Sequence, residues 1–181
     1  MAGRTELAAG LARCHSLEEL RVVDPASGHV RPVLSDLKQG FYGHGQLSPD
    51  GRWASAMEWS SADRARIIIF PFRATPVPPA EWVALTEDQS VEEEHVWSPQ
   101  GDAIYFVSER DGSRCVWMRK LDPATRHPVG AVMPVLHLHG ARRSMISTAI
   151  RPQRLALALN SVFFSVQEQR GNIWKAAFRA Q

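Results

Sequence analysis

Cysteine is scarce in this chain: Cys14 and Cys115 are the only two in 181 residues. Two thiols so far apart make neither a disulfide framework nor a metal knuckle, and they read as reduced, partly buried side chains. Long apolar runs are absent. No stretch reaches ~18 uninterrupted apolar residues, so no segment reads as a membrane-spanning helix. An excess of one charge is lacking too. Lys and Arg number 21 against 19 Asp and Glu, a net charge of +2 that gives no case for nucleic acid or an anionic membrane. Near the N-terminus, Glu6 and the charges from Arg13 onward interrupt any leader-like apolar region. The expectation is therefore a cytoplasmic protein, with the periplasm the alternative for a chain that is part of something longer. Helical periodicity is missing except for a weak trace over Glu6 to Glu19. Catalytic signatures are missing as well. There is no G-x-S-x-G elbow, no Walker loop, no H-E-x-x-H and no G-x-G-x-x-G; Gly43-His44-Gly45 lacks the spacing that would complete one.

What the chain does contain is repetition. Leu47-Ser48-Pro49-Asp50-Gly51 returns 50 residues later (97 minus 47) as Trp97-Ser98-Pro99-Gln100-Gly101. Val23-Asp24-Pro25-Ala26-Ser27 returns as Leu121-Asp122-Pro123-Ala124-Thr125, 98 residues on (121 minus 23). Val116-Trp117, after Asp111-Gly112-Ser113, returns as Ile173-Trp174 after Arg170-Gly171-Asn172. Each echo is a tight turn or the strand beside one. Pro presets its own φ, Asp bonds the local backbone, and Gly takes the left-handed position that closes a hairpin. Between the turns lie short β-branched and aromatic runs: Arg66 to Phe70, Ala103 to Val107, Cys115 to Met118 and Ser161 to Val166.

The unit is thus a four-stranded antiparallel meander of about 50 residues. One such sheet cannot bury both faces alone. Stacking copies around an axis solves the problem, and the result is an all-β fold, a β-propeller segment. Residues 1–15 form an N-terminal extension and 16–181 the propeller segment. Residues 16–38 supply a partial blade, and 41–87, 92–138 and 144–180 supply three more, the last less regular. Within 41–87, the Pro-rich run Thr75 to Ala80 precedes a last strand at Glu81 to Leu85. About three and a half blades fall short of the roughly four to eight that close a ring. The ring is incomplete as the chain stands. Three readings remain open: missing blades from a longer chain, closure by self-association, or a short arc that persists.

The run WSPQGDAIYFVSERDGSRCVWMRKLDPATR resembles the repeat of TolB-type, WD40-like β-propellers. The pattern is carried by Trp97 to Gly101, by Ser108, Arg110, Asp111 and Gly112, by Val116-Trp117, and by Asp122 with Thr125. Arg126 stands where that repeat usually has Gly. The tail FFSVQEQRGNIWKAAF is similar to the closing repeat of bacterial propellers of this type, some fused behind kinase or winged-helix regulator domains. Peptidases of the prolyl oligopeptidase type carry such propellers too, with their chemistry in a separate domain. The resemblance implies a fold and leaves function open.

The functional expectation is a non-catalytic scaffold for protein–protein interaction. The alternative is the C-terminal sensory or gating propeller of a larger regulator or peptidase. The candidate partner-binding residues are His44, Glu93, Glu94, His95 and Arg143, all read as lying in links between blades. Glu92-Glu93-Glu94-His95, joined by Asp88, reads as a solvated acidic link, and Arg142, Arg143, Arg151 and Arg154 make the corresponding region of the next blade basic. No cofactor is expected. His137-Leu138-His139 would put two imidazoles on one strand face, but a metal needs a further ligand, sought at His95 or Glu94. Trp97, Trp117 and Trp174 read as core between blades. Of Trp53, Trp59 and Trp82, one is a candidate exposed anchor for an unknown protein partner.

Overall fold

The structure, a computed structural model, describes residues 20–34, 41–87, 89–139, 143–145, 155–158 and 161–168. Cys14, Asp88, Arg142, Arg151, Arg154, Trp174 and residues 6–19, with their weak helical periodicity in sequence, lie outside them. The described elements are strands, apart from one 3-10 turn at Pro79–Glu81. β1 (Arg21–Val23) and β2 (Val30–Pro32) form a hairpin. β3 (Phe41–Leu47), β4 (Trp53–Ser61), β5 (Arg64–Pro71) and β6 (Val83–Ala84) form a four-stranded antiparallel sheet in chain order. β7 (Glu92–Trp97), β8 (Ala103–Ser108), β9 (Cys115–Leu121) and β10 (Pro128–Leu136) form a second. β11 (Arg143–Ser144) pairs with β14 (Gln167–Glu168), and β12 (Ala156–Ala158) with β13 (Ser161–Phe163).

The turn motifs explain the hairpins atom by atom. Ser98 Oγ accepts the N–H groups of Asp102 and Ala103, both at 3.1 Å, and donates to the Asp102 carboxylate at 2.7 Å. Ser48 repeats the device, accepting Trp53 N–H at 3.0 Å and donating to Asp50 at 2.5 Å. In both turns the glycine is left-handed, with φ 67° at Gly51 and 71° at Gly101. A carboxylate organises the other repeated turn. Asp122 Oδ1 accepts the N–H groups of Ala124 and Thr125, and Asp24 Oδ1 accepts that of Ala26.

The cores lie between sheets rather than within one. Ile67, Ile69 and Leu85 of the β3–β6 sheet pack with Trp97, Ile104, Phe106, Trp117 and Leu121 of the β7–β10 sheet. The opposite face of β5, with Ile68 and Phe70, packs with Val22, Val33 and Leu34 of the first hairpin. Val107 and Val116 turn the other way, toward Met145 and Leu155. β5 is therefore apolar on both faces, as a strand between two neighbours must be. β7 lies against β3 and β5 of the preceding sheet and against β12 of the next segment. Trp97 and Trp117 are buried, as expected of core positions. Trp53 and Trp82 are half-buried against these cores, and Trp59 is half-buried above Gly43. None of the five described tryptophans is an exposed anchor.

Arg126 shows why the repeat departs from glycine. Its counterpart 98 residues earlier is Gly28 (126 minus 98), and both are left-handed, with φ 60° at Arg126 and 69° at Gly28. The arginine accepts that backbone and uses its side chain as a rivet. Its guanidinium donates to Gly101 O in its own sheet and to Asp50 Oδ2 of the preceding sheet at 3.1 Å. Arg126→Ala should destabilise the fold by about 2–4 kcal/mol, since it strips a buried polar tie between sheets. Arg126→Gly should be milder than Arg126→Ala by about 1 kcal/mol, because glycine removes the left-handed penalty. Urea unfolding of the two variants checks the ordering.

Candidate functional site

β3 and β7 carry the same irregularity at repeat-equivalent places. Register slips between Gly43 and Gln46 in β3, and between Glu93 and Val96 in β7. At each bulge a non-glycine residue is left-handed: His44 with φ 53° and Glu94 with φ 48°, 50 positions apart (94 minus 44). A side chain there costs roughly 1–2 kcal/mol over glycine, so both bulges hold strained backbone. Bulges re-aim side chains and gather at functional sites. Here they bring His44 Nδ1 to 3.8 Å from Glu94 Oε1 across the gap between sheets, and His44 leans on the Trp59 ring at 5.9 Å.

The bulge in β7 also decides which side chains are buried. Strict alternation would place Glu92, Glu94 and Val96 on one face. The extra residue shifts the phase, and Glu92, His95 and Trp97 are the buried positions instead. The reading of residues 92–95 as a solvated link between blades is therefore corrected: they lie in a strand, and two of the four side chains are inside. His44 likewise lies within β3 rather than in a link.

His95, expected as a surface contact, is 1% exposed. Trp97 Nε1 donates to Ser55 Oγ at 2.9 Å, and the same hydroxyl is hydrogen-bonded to His95 Nε2, also at 2.9 Å. His95 Nδ1 has no hydrogen-bond partner among the described residues. Burial, helped by the nearby charge of His44, holds the imidazole pKa down to about 3. The ring is neutral at physiological pH, so it cannot serve as an acid there. It pins β7 to β4.

Glu92 is also 1% exposed. Its Oε1 accepts Arg110 Nη2 at 2.7 Å, Ser90 Oγ at 2.9 Å and Ser108 Oγ at 3.2 Å. Burial raises its pKa against the pull of these partners. This accounts for the Ser108, Arg110, Asp111, Gly112 motif: Arg110 folds back over the Trp117 ring at 5.2 Å to reach Glu92. Glu93 is half-buried and pairs with Arg114 at 2.9 Å. Of the candidate contacts, the structure brings together His44 and Glu94, with Glu93 beside them in β7. Arg143 is in β11, opposite Glu168, in a different sheet, and its side chain lies outside the described residues. Ser55, Arg110 and Arg114 were not singled out as site residues; Arg110 alone carried a signal, as part of a repeat motif.

Sheets joined in chain order, first strands side by side and apolar cores between neighbouring faces define part of a β-propeller. The fold is that of the TolB type. It is similar to TolB from Acinetobacter baumannii, with a TM-score of 0.55 and 17% identity, over 83% of this chain and 35% of that one. This chain thus spans about a third of the length of that structure. A puromycin hydrolase is similar over 64% of this chain and 16% of its own, at 21% identity and a TM-score of 0.48. A puromycin-hydrolysing peptidase of Mycobacterium tuberculosis is similar over 66% and 21%, at 17% identity and a TM-score of 0.47. No family model and no curated protein matches the sequence. Among the described residues no helix is long and apolar enough to cross a membrane.

Proposed function

We propose that the chain is a non-catalytic propeller scaffold that binds a protein partner on the surface formed by its first strands. His44, Glu93 and Glu94 are the contact residues, with Arg143 the basic contribution of the next blade. The observation that carries this reading is the repeated strained bulge, which sets His44 and Glu94 side by side at the junction of β3 and β7. Strain kept at equivalent positions of two blades needs a use beyond packing. The neutral, buried His95 fits a rigid support for that surface rather than a reacting group. A cytoplasmic setting belongs to the same reading.

The second reading is that these blades are the C-terminal sensory or gating part of a larger regulator or peptidase. The shortness of the chain beside its structural neighbour favours it: only 35% of that chain is covered. Both readings use the same surface. A photo-crosslinking residue placed at Glu93, and separately at the exposed Val129 of β10, tests them in cells of the source organism. A discrete product is expected from position 93 and none from position 129.

A further inference from the structure

At the start of β9 and just past the end of β10, four potential metal ligands converge. Asp111 comes from the β8–β9 turn, Cys115 opens β9, and His137 and His139 follow Leu136. His139 Nε2 lies 2.9 Å and His137 Nδ1 3.0 Å from Asp111 Oδ2, and the two ring nitrogens are 3.2 Å apart. With Cys115 Sγ, all four ligand atoms fall within 4.8 Å of one another. We propose that Asp111, Cys115, His137 and His139 form a structural zinc site that ties the β8–β9 turn to the exit of β10.

The geometry and the chemistry agree on the metal. Zn–N and Zn–O bonds of ~2.0–2.1 Å and a Zn–S bond of ~2.3 Å imply ligand separations of about 3.3–3.5 Å around a tetrahedron. The imidazoles and the carboxylate stand 2.9–3.2 Å apart, so they need open by only a few tenths of an ångström while the sulfur closes in. Two neutral imidazoles, one carboxylate and one thiolate balance a dication. Four protein ligands leave no open position, which is the mark of a structural rather than a catalytic zinc. The supports are in place as well. Leu138 N–H points at Cys115 Sγ from 3.4 Å, and the Trp117 ring meets His137 edge-on at 5.3 Å. Zinc takes cysteine as the thiolate, so binding at Cys115 releases a proton. The third ligand sought at His95 or Glu94 is not used. Those residues sit on β7 and engage the preceding sheet instead, His95 at Ser55 and Glu94 at His44.

This site does not rest on the partner-binding reading, although Arg114, between Asp111 and Cys115, pairs with Glu93 of β7. It fixes the direction in which the chain leaves the β7–β10 sheet for the next one. The test is metal titration of the full chain after chelator treatment. Zinc affinity is read by competition with a chromophoric chelator, and cobalt(II) is the spectroscopic probe. One equivalent should bind, with the intense visible bands of four-coordinate cobalt and a thiolate-to-cobalt charge-transfer band. Cys115→Ser should abolish the charge-transfer band. The exposed-site variants Asp111→Asn and His139→Gln should weaken zinc binding at least tenfold and remove the rise in melting temperature that zinc gives the parent chain. These two remain informative if the buried Cys115→Ser fails to fold. Absence of a charge-transfer band, or variants that bind zinc like the parent chain, would overturn the proposal.

Discussion

Phe106→Ala is expected to lower the unfolding free energy by about 3–5 kcal/mol, a large fraction of the ~5–15 kcal/mol that holds an ordinary domain folded. The ring is fully buried in the core shared by the β3–β6 and β7–β10 sheets. Its removal empties space that neither sheet can fill alone, because each face is held by the other. Ile69→Ala attacks the same core from the other sheet and should cost about 2–5 kcal/mol. The two losses should not add, and a coupling of about 0.5–3 kcal/mol is expected between residues sharing one cavity. Phe163, 58% exposed on β13, is the control: its replacement by alanine should change stability by no more than ~0.5 kcal/mol. Urea midpoints of the four variants, including the double, decide the matter. Additive losses would mean that the sheets do not share a core.

Acidification is expected to destabilise the fold well above the range in which exposed carboxylates titrate. His95 is held neutral by burial, with its pKa lowered to about 3. In the unfolded chain it returns to ~6.5. Between these values the unfolded state binds the additional proton, so stability falls as pH falls. The contribution is intact above pH ~6.5 and shrinks by up to ~1.4 kcal/mol per unit toward pH ~3, or about 2–3 kcal/mol by pH 4.5. Glu92 works in the opposite sense. Its pKa is raised in the fold, so protonation in the same acid range favours the folded state and cannot be the source of the loss. His95→Gln keeps a polar group near Ser55 without a titrating one. It should flatten the profile between pH 6.5 and 4.5, measured as urea midpoints at several pH values. A variant profile as steep as the parent's would place the acid sensitivity elsewhere.

The turns were legible because their chemistry is local. Ser48, Ser98, Asp24 and Asp122 bond the backbone within a few residues, and the repeat shows it in the letters. Strands followed from the runs between turns, and interblade burial of Trp97 and Trp117 from their repeat positions. The site was less legible. Three glutamates in a row look like solvated chain, yet a one-residue bulge in β7 turns Glu92 and His95 inward together. Nothing in the letters announces that bulge, since glutamate is a poor left-handed residue and the strain is imposed by the sheets. Arg126 was visible as a departure from glycine, but its use depends on Asp50, which is remote in sequence and adjacent only after the sheets stack. The His137–His139 pair was visible too. Its partners were not, because Asp111 was already accounted for as a turn residue and Cys115 as a core thiol.

The central claim is that the first strands, not the outer ones, form the working surface. Crosslinking from Glu93 compared with Val129 tests it most directly. The account predicts one discrete adduct from position 93 that is lost when His44→Ala and Glu94→Ala are combined in the same chain, with no adduct from position 129. A separate polypeptide in the adduct supports the scaffold, and a product internal to a longer form of this chain supports the sensory or gating reading. The same adducts from both positions, or none from position 93, would contradict the account.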